Sequence, residues 1–190
     1  TTAIQATLDT GEIDALGRTV SFHGPVNAAL TQDRFVLDGD VRAPGDSPAL
    51  FAQARLHVEL EYDRARRRFS LGSAELSGDA LALDARGWVN RGEGEFSGEW
   101  RVRRLDALMS AVTGQAAGRW RAFSEPRDGT RIWTTTITGA GERISGAPDV
   151  LPQLLGANPR LDARLTHENH GLTVSHARID GAQLRAGASG

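Results

Sequence analysis

The segment Phe69–Gly87, FSLGSAELSGDALALDARG, returns at the end of the chain as Leu172–Gly190, LTVSHARIDGAQLRAGASG, at one constant offset (172 − 69 = 103). Phe69 maps to Leu172, Gly78 to Gly181, Leu81 to Leu184 and Gly87 to Gly190. Each copy alternates apolar and polar residues, turns at a glycine, and alternates again. Period-two alternation is the pattern of a half-buried strand, and a repeated strand–turn–strand unit commits the chain to a repetitive β-protein. Glycine supports this: 22 of 190 residues, about 12% against a usual value of about 7%. In a strand-rich chain such glycines mark turns and bends.

The rest of the chain follows the same logic. An opening strand alternates at Thr2, Ile4, Ala6 and Leu8, and Asp9–Gly17 is expected to form a short helical turn closed by Gly17. Strands are expected at 19–22, 26–30 and 35–42. Ser47-Pro48 then reads as an N-cap followed by proline at the first helical position, opening a helix over 49–54. Strand 55–62 places Leu56, Val58, Leu60 and Tyr62 on one face and His57, Glu59 and Glu61 on the other. After the turn at 63–68 and the first repeat copy, Trp88-Val89 and 95–103 continue the sheet. Leu105, Leu108, Met109 and Val112 fall at helical spacing before Gly114, which predicts a helix over 105–113. A hairpin of 119–123 and 131–138 turns at Pro126–Gly129. A second amphipathic helix is expected over 148–155, with Pro152 blurring its start, and strands 161–167, 172–179 and 183–189 close the chain. The larger unit is a short helix followed by three strands, dividing the chain roughly into 1–47, 48–103, 104–146 and 147–190. Leu56, Val58 and Leu60 recur as Leu161, Ala163 and Leu165.

Charge and composition exclude several classes of function. The net charge is −2, without the basic excess of a nucleic-acid binder. All 22 basic residues are arginine. With no cysteine there is neither a disulfide nor a thiolate nucleophile or ligand. No stretch of about 18 apolar residues is present to span a membrane as a helix. The first residues carry no signal-peptide pattern, and both ends fall inside strands, as expected for an excerpt of a longer protein.

The residues Leu154-Leu155-Gly156, Leu161-Asp162-Ala163-Arg164-Leu165, Gly171-Leu172-Thr173-Val174, Ile179-Asp180-Gly181 and Leu184–Gly190 form a cadence that resembles the repetitive part of the TamB family and, more distantly, AsmA-like proteins. The resemblance covers roughly 40 residues well, recurs over 48–87 and fades between. It implies a mostly β fold, an elongated curled antiparallel sheet (a β-taco) with an open apolar groove and two to four short helices. It further implies a periplasmic segment of an inner-membrane-anchored protein of a Gram-negative envelope, partnered by a TamA-like outer-membrane barrel. The implied activity is non-enzymatic: shielding phospholipid acyl chains between the two membranes and supporting outer-membrane assembly. Groove candidates are then Leu56, Val58, Leu60, Phe69, Leu71, Leu81, Leu83, Leu161, Leu165, Leu172, Val174 and Leu184, with Ala82, Ala163, Ala186 and Ala188 keeping facing walls apart. The alternative is a structural β-solenoid of a surface or adhesin-type protein whose stripes close into a dry core, although units of 40–50 residues with intervening helices favour the first reading.

No other constellation carries chemistry. His167, Glu168, His170 and His176 sit at an expected hairpin turn without metal-ligand spacing, and His23 and His57 stand outside any cluster, so no metal or other cofactor is expected. Arg64, Arg66, Arg67 and Arg68, like Arg101, Arg103 and Arg104, read as solvated turns. Trp88, Trp100, Trp120 and Trp133 suit core or sheet-end filling rather than a carbohydrate platform. Glu93 and Glu95 lie in a glycine-rich exposed stretch unsuited to a glycosidase pair. No phosphate-loop, nucleophile-elbow or zincin motif is present, and no enzyme is expected.

Overall fold

The computed structural model describes residues 2–15, 18–44, 50–51, 53–109, 111–127, 130–146, 150–168, 171–183 and 185–188. They form two units, Thr1–Arg91 and Gly92–Gly190. The chain is mostly β: twelve strands in which every strand-to-strand pairing described is antiparallel.

The first unit holds β1 (Thr2–Ala15), β2 (Arg18–Leu30), β3 (Arg34–Arg42), β4 (Arg55–Asp63), β5 (Arg68–Ser77) and β6 (Leu81–Asn90), each paired with its neighbour in sequence. The second holds β7 (Glu93–Val102), β8 (Val112–Arg127), β9 (Thr130–Gly146), β10 (Arg160–Glu168), β11 (Gly171–Asp180) and β12 (Arg185–Ala188), again a meander. One α-helix, α1 (Val150–Leu155), and one 3-10 turn (Leu105–Ala107) are the helical pieces among the described residues.

Several local expectations give way to pairing. The helical turn expected over 9–17 is strand as far as Ala15, because Gly11–Ala15 pairs with Arg18–Phe22 across β1 and β2; Leu16 and Gly17 lie outside the described residues. The two strands expected over 19–30 are one strand, whose ladder to β3 is interrupted at Gly24-Pro25. Proline lacks the N–H that a ladder position donates. A β-carbon at Gly24 would run into the Asp40 carbonyl, so only glycine admits this approach. Of the helix expected over 49–54, the described residues form a turn, in which the Ala54 amide donates to the Phe51 carbonyl at 3.0 Å; Ser47 and Pro48 lie outside them.

The helix expected over 105–113 shrinks to the 3-10 turn and one i→i+4 bond, Met109 N–H to Leu105 O at 2.8 Å. Val112 and Thr113 instead pair with Gly146 and Ser145. Gly114 is no helix cap: it sits in β8 with φ +116°, and a β-carbon there would meet the Arg143 carbonyl at 2.8 Å. The hairpin expected from Pro126 to Gly129 has longer arms, since Pro126 and Arg127 still pair with Arg131 and Thr130. The expected second helix is present as α1.

Most fully buried apolar side chains gather at one end of each unit, with Ile132 apart from them near the β8–β9 hairpin. In the first they are Val41, Ala43, Leu50, Phe51, Ala54 and Ala80, where the turn before β4 folds over the strand ends and the Ala43 amide donates to Ala54 O at 2.8 Å. In the second, Val102, Val112 and Ile144 lie at the end where Ala182 and Gln183 donate to Leu155 and Leu154 of α1. Each connection plugs one end of its sheet and leaves the rest of the face to itself.

Candidate apolar binding face

The site is built from the pairing register. In the first unit Leu30, Phe35, Tyr62, Phe69 and Val89 stand opposite one another strand by strand, and the Tyr62 and Phe69 rings stack at 4.4 Å. The next rows are Ile4, Ala28, Leu37, Leu60, Leu71 and Gly87, then Ala6, Val26, Gly39, Val58, Ala74 and Ala85. Val41, Leu56, Leu76 and Leu83 form the row nearest the plug. Directly opposed side chains are the contacts that stabilise a sheet, so one face is an apolar lattice several strands wide.

That lattice needs a correction that alternation alone does not supply. In β5 the apolar residues change parity, from Phe69 and Leu71 to Ala74 and Leu76. A β-bulge absorbs the change: Glu59 pairs with Ser73 and Leu60 with Leu71, leaving Gly72 as the extra residue. An inserted residue of this kind resets which face the following side chains take.

The second unit repeats the arrangement. Its rows run Trp100, Gly118, Gly139, Leu161, Ile179 and Ala186, then Gly98, Trp120, Ile137, Ala163, Ala177 and Ala188, then Phe96, Ala122, Thr135, Leu165 and Val174. Here the extra residue is Ser175, skipped between Arg164↔His176 and Leu165↔Val174, and its hydroxyl donates to Arg164 O at 3.0 Å. The glycine pair Gly118 and Gly139 makes room for an aromatic ring: a β-carbon at Gly139 would run into the Trp100 indole. Phe96 and Trp133 meet at 5.9 Å in a tilted contact.

Of the expected face residues, Leu56, Val58, Leu60, Leu71, Leu81, Leu161 and Leu165 are half-buried, and Phe69, Leu83 and Val174 are exposed at 45%, 38% and 44%. None belongs to the buried core. Leu184 and the side chain of Leu172 lie outside the described residues. Ala82 leaves the stripe: it pairs with Ser77 on the polar face, while Ala74 and Ala85 hold the small-residue row. Sequence reasoning missed Leu37, Leu76 and Ile179, each visible only once its strand is registered against the next.

The opposite face is charged and laced by exposed ion pairs, among them Arg34–Glu61 at 3.0 Å, Arg121–Glu95 at 2.8 Å and Arg164–Glu125 at 3.2 Å. Such pairs keep a face wet more than they stabilise it. Trp88 lies on this side, with the Arg68 guanidinium 4.7 Å over its ring. In the basic turn, Arg66 is tied to Asp63, and the Arg66 backbone N–H holds the Asp63 carboxyl below its ordinary value. Asp106 is likewise lowered, by the side-chain hydrogen bond from Arg104. His57 is not isolated: it meets Asp38 and Glu59 on the polar face. His176 stands apart from that group, 3.4 Å from Asp162.

An apolar face with a wet reverse side can bind hydrocarbon. No protein family, curated protein or solved structure matches the chain.

Proposed function

We propose that the apolar face is a lipid-binding surface, one segment of a periplasmic conduit of the TamB type in which acyl chains lie along the strand rows. One observation carries this reading: rows of Leu, Val, Ala and Phe remain in register across each unit, yet most of their side chains stay half-buried or exposed. Each buried methylene contributes about 0.8 kcal/mol, so an acyl chain laid along such rows would be held without chemistry. Small residues within one row of each unit (Gly39, Ala74 and Ala85 in the first, Ala163 and Ala177 in the second) leave a shallow trough between rows of bulkier side chains. In this reading the protein is not an enzyme. The full-length chain spans from an inner-membrane anchor towards a TamA-like barrel in the outer membrane.

The test is photocrosslinking of a phospholipid carrying a photoactivatable acyl chain. Leu83→Asp and Val174→Asp should each lower crosslinking several-fold while circular dichroism stays that of the parent. Asp84→Ser, on the charged side, should leave it unchanged. Undiminished capture in folded Leu83→Asp and Val174→Asp chains would remove the lipid reading.

A further inference from the structure

Away from the apolar face, three side chains with metal-ligating atoms converge on β3 and β4. Asp38 and Glu59 are directly opposed in the β3–β4 register, and His57 lies two residues before Glu59 on the same face. One ligand atom from each of the three lies within 4.8 Å of the others, and His57 Nε2 is 3.5 Å from Glu59 Oε1.

Like charges placed directly opposite one another destabilise a strand pair, and the flanking carboxylates escape this by pairing with arginine. Asp40 has Arg55 at 3.5 Å, and Glu61 has Arg34 at 3.0 Å. Asp38 has no ion-pair or hydrogen-bond partner among the described residues, and Glu59 meets only His57. The gap in the arginine lattice therefore coincides with the imidazole. Across β5 the neighbour is Gly72, whose missing side chain leaves Glu59 Oε2 open: a β-carbon there would come within 3.4 Å of it.

We propose that Asp38, His57 and Glu59 bind a divalent first-row transition metal, with Zn2+ the fitting probe. Metal–nitrogen and metal–oxygen bonds of about 2.0–2.2 Å put two ligand atoms on one ion roughly 3–3.5 Å apart. Small side-chain rotations on an exposed face cover that difference. One imidazole and two carboxylates form a three-ligand set with positions left for water, and the imidazole selects zinc-like ions over calcium or magnesium. The ion would neutralise the opposed carboxylates and clamp β3 to β4. This does not rest on the lipid reading, since the cluster occupies the other face of the sheet.

The experiment is Zn2+ titration of the whole chain against a chromophoric chelator, with the thermal midpoint followed in parallel. We expect one ion per chain at this site and a higher midpoint with metal. His57→Asn and Asp38→Asn should weaken binding at least tenfold, while His176→Asn should not. Paramagnetic Co2+ should broaden the His57 imidazole resonances first, a readout that needs no variant. Affinity unchanged in His57→Asn, binding lost instead in His176→Asn, equal competition by Ca2+, or no Zn2+ binding would each overturn the assignment.

Discussion

Gly72 and Ser175 occupy the same place in two hairpins 103 positions apart (175 − 72): each is the unpaired residue of a β-bulge, next to Leu71 opposite Leu60 and next to Val174 opposite Leu165. The repeat therefore copies a change of face as well as an alternation. If Gly72 and Ser175 were kept in unbroken alternation instead of bulged, Phe69 and Leu71 would point to the side opposite Ala74 and Leu76, and Val174 to the side opposite Ala177 and Ile179. The bulge turns two out-of-phase half-strands into one continuous apolar row.

Deleting Gly72 should therefore leave Phe69 and Leu71 on the apolar face with Ala74 and Leu76, in regular alternation, because the Leu60↔Leu71 and Glu59↔Ser73 pairs already flank the unpaired residue. The deletion should then change the unfolding free energy by no more than about 1 kcal/mol, measured by urea titration. Gly72→Ala keeps the bulge and meets only Glu59 at 3.4 Å or more, so it should change stability by less than about 0.5 kcal/mol. A large loss in the deletion beside a silent Gly72→Ala would show that the bulge itself, and not the parity of β5, holds the apolar row together.

Gly139→Ala should destabilise the second unit by about 1–3 kcal/mol, the usual cost of overpacking, because the new methyl enters the Trp100 ring and lies 2.8 Å from the Ala117 carbonyl. Displacement of the indole should shift the tryptophan emission. Gly187→Ala, whose nearest contact would be Ala177 O at 3.5 Å, should do neither.

The turn between β4 and β5 should loosen in acid. Asp63 accepts from the Arg66 backbone N–H at 2.9 Å and from its guanidinium at 3.1 Å, with its carboxyl held below the ordinary 3.8. A group with a lowered folded-state pKa stabilises fully above its unfolded value, and that contribution is lost as pH falls through the folded value. Hydrogen–deuterium exchange of the Arg66 amide, corrected for intrinsic rate, should be pH-independent from neutrality to about pH 5 and should lose protection below about pH 4. In Asp63→Asn the protection should already be reduced at neutral pH, with no further acid step.

Arg34→Ala and Arg55→Ala should extend the uncompensated acidic patch around His57 to Glu61 and Asp40. Each exposed pair contributes at most about 1 kcal/mol, so stability should fall only slightly. Zn2+ affinity should rise by a few-fold in the same variants, measured by chelator competition. Unchanged or weaker binding would show that the neighbouring carboxylates do not bear on the ion.

Alternation in 55–62, in 161–167 and in both repeat copies was sufficient to place strands β4, β5, β6, β10 and β11, because period two admits one backbone form. The same alternation assigned Leu56, Val58 and Leu60 to one face, since nothing interrupts β4. Composition alone excluded thiol chemistry and disulfides.

What tertiary pairing decided was everything that depends on a distant partner. The spacing of Leu105, Leu108, Met109 and Val112 suits a helix, but hydrogen bonding of Val112 and Thr113 to a strand more than 30 residues away draws most of that stretch out of helix. The phase of the apolar rows was set by bulges, which a single strand shows as a change of parity and which only pairing locates at Gly72 and Ser175. The meeting of His57 with Asp38 was equally hidden, since residues 19 positions apart become neighbours only through the β3–β4 register. A strand's own residues fix which side chains alternate; which face they share, and what they meet there, is fixed by hydrogen bonds to another strand.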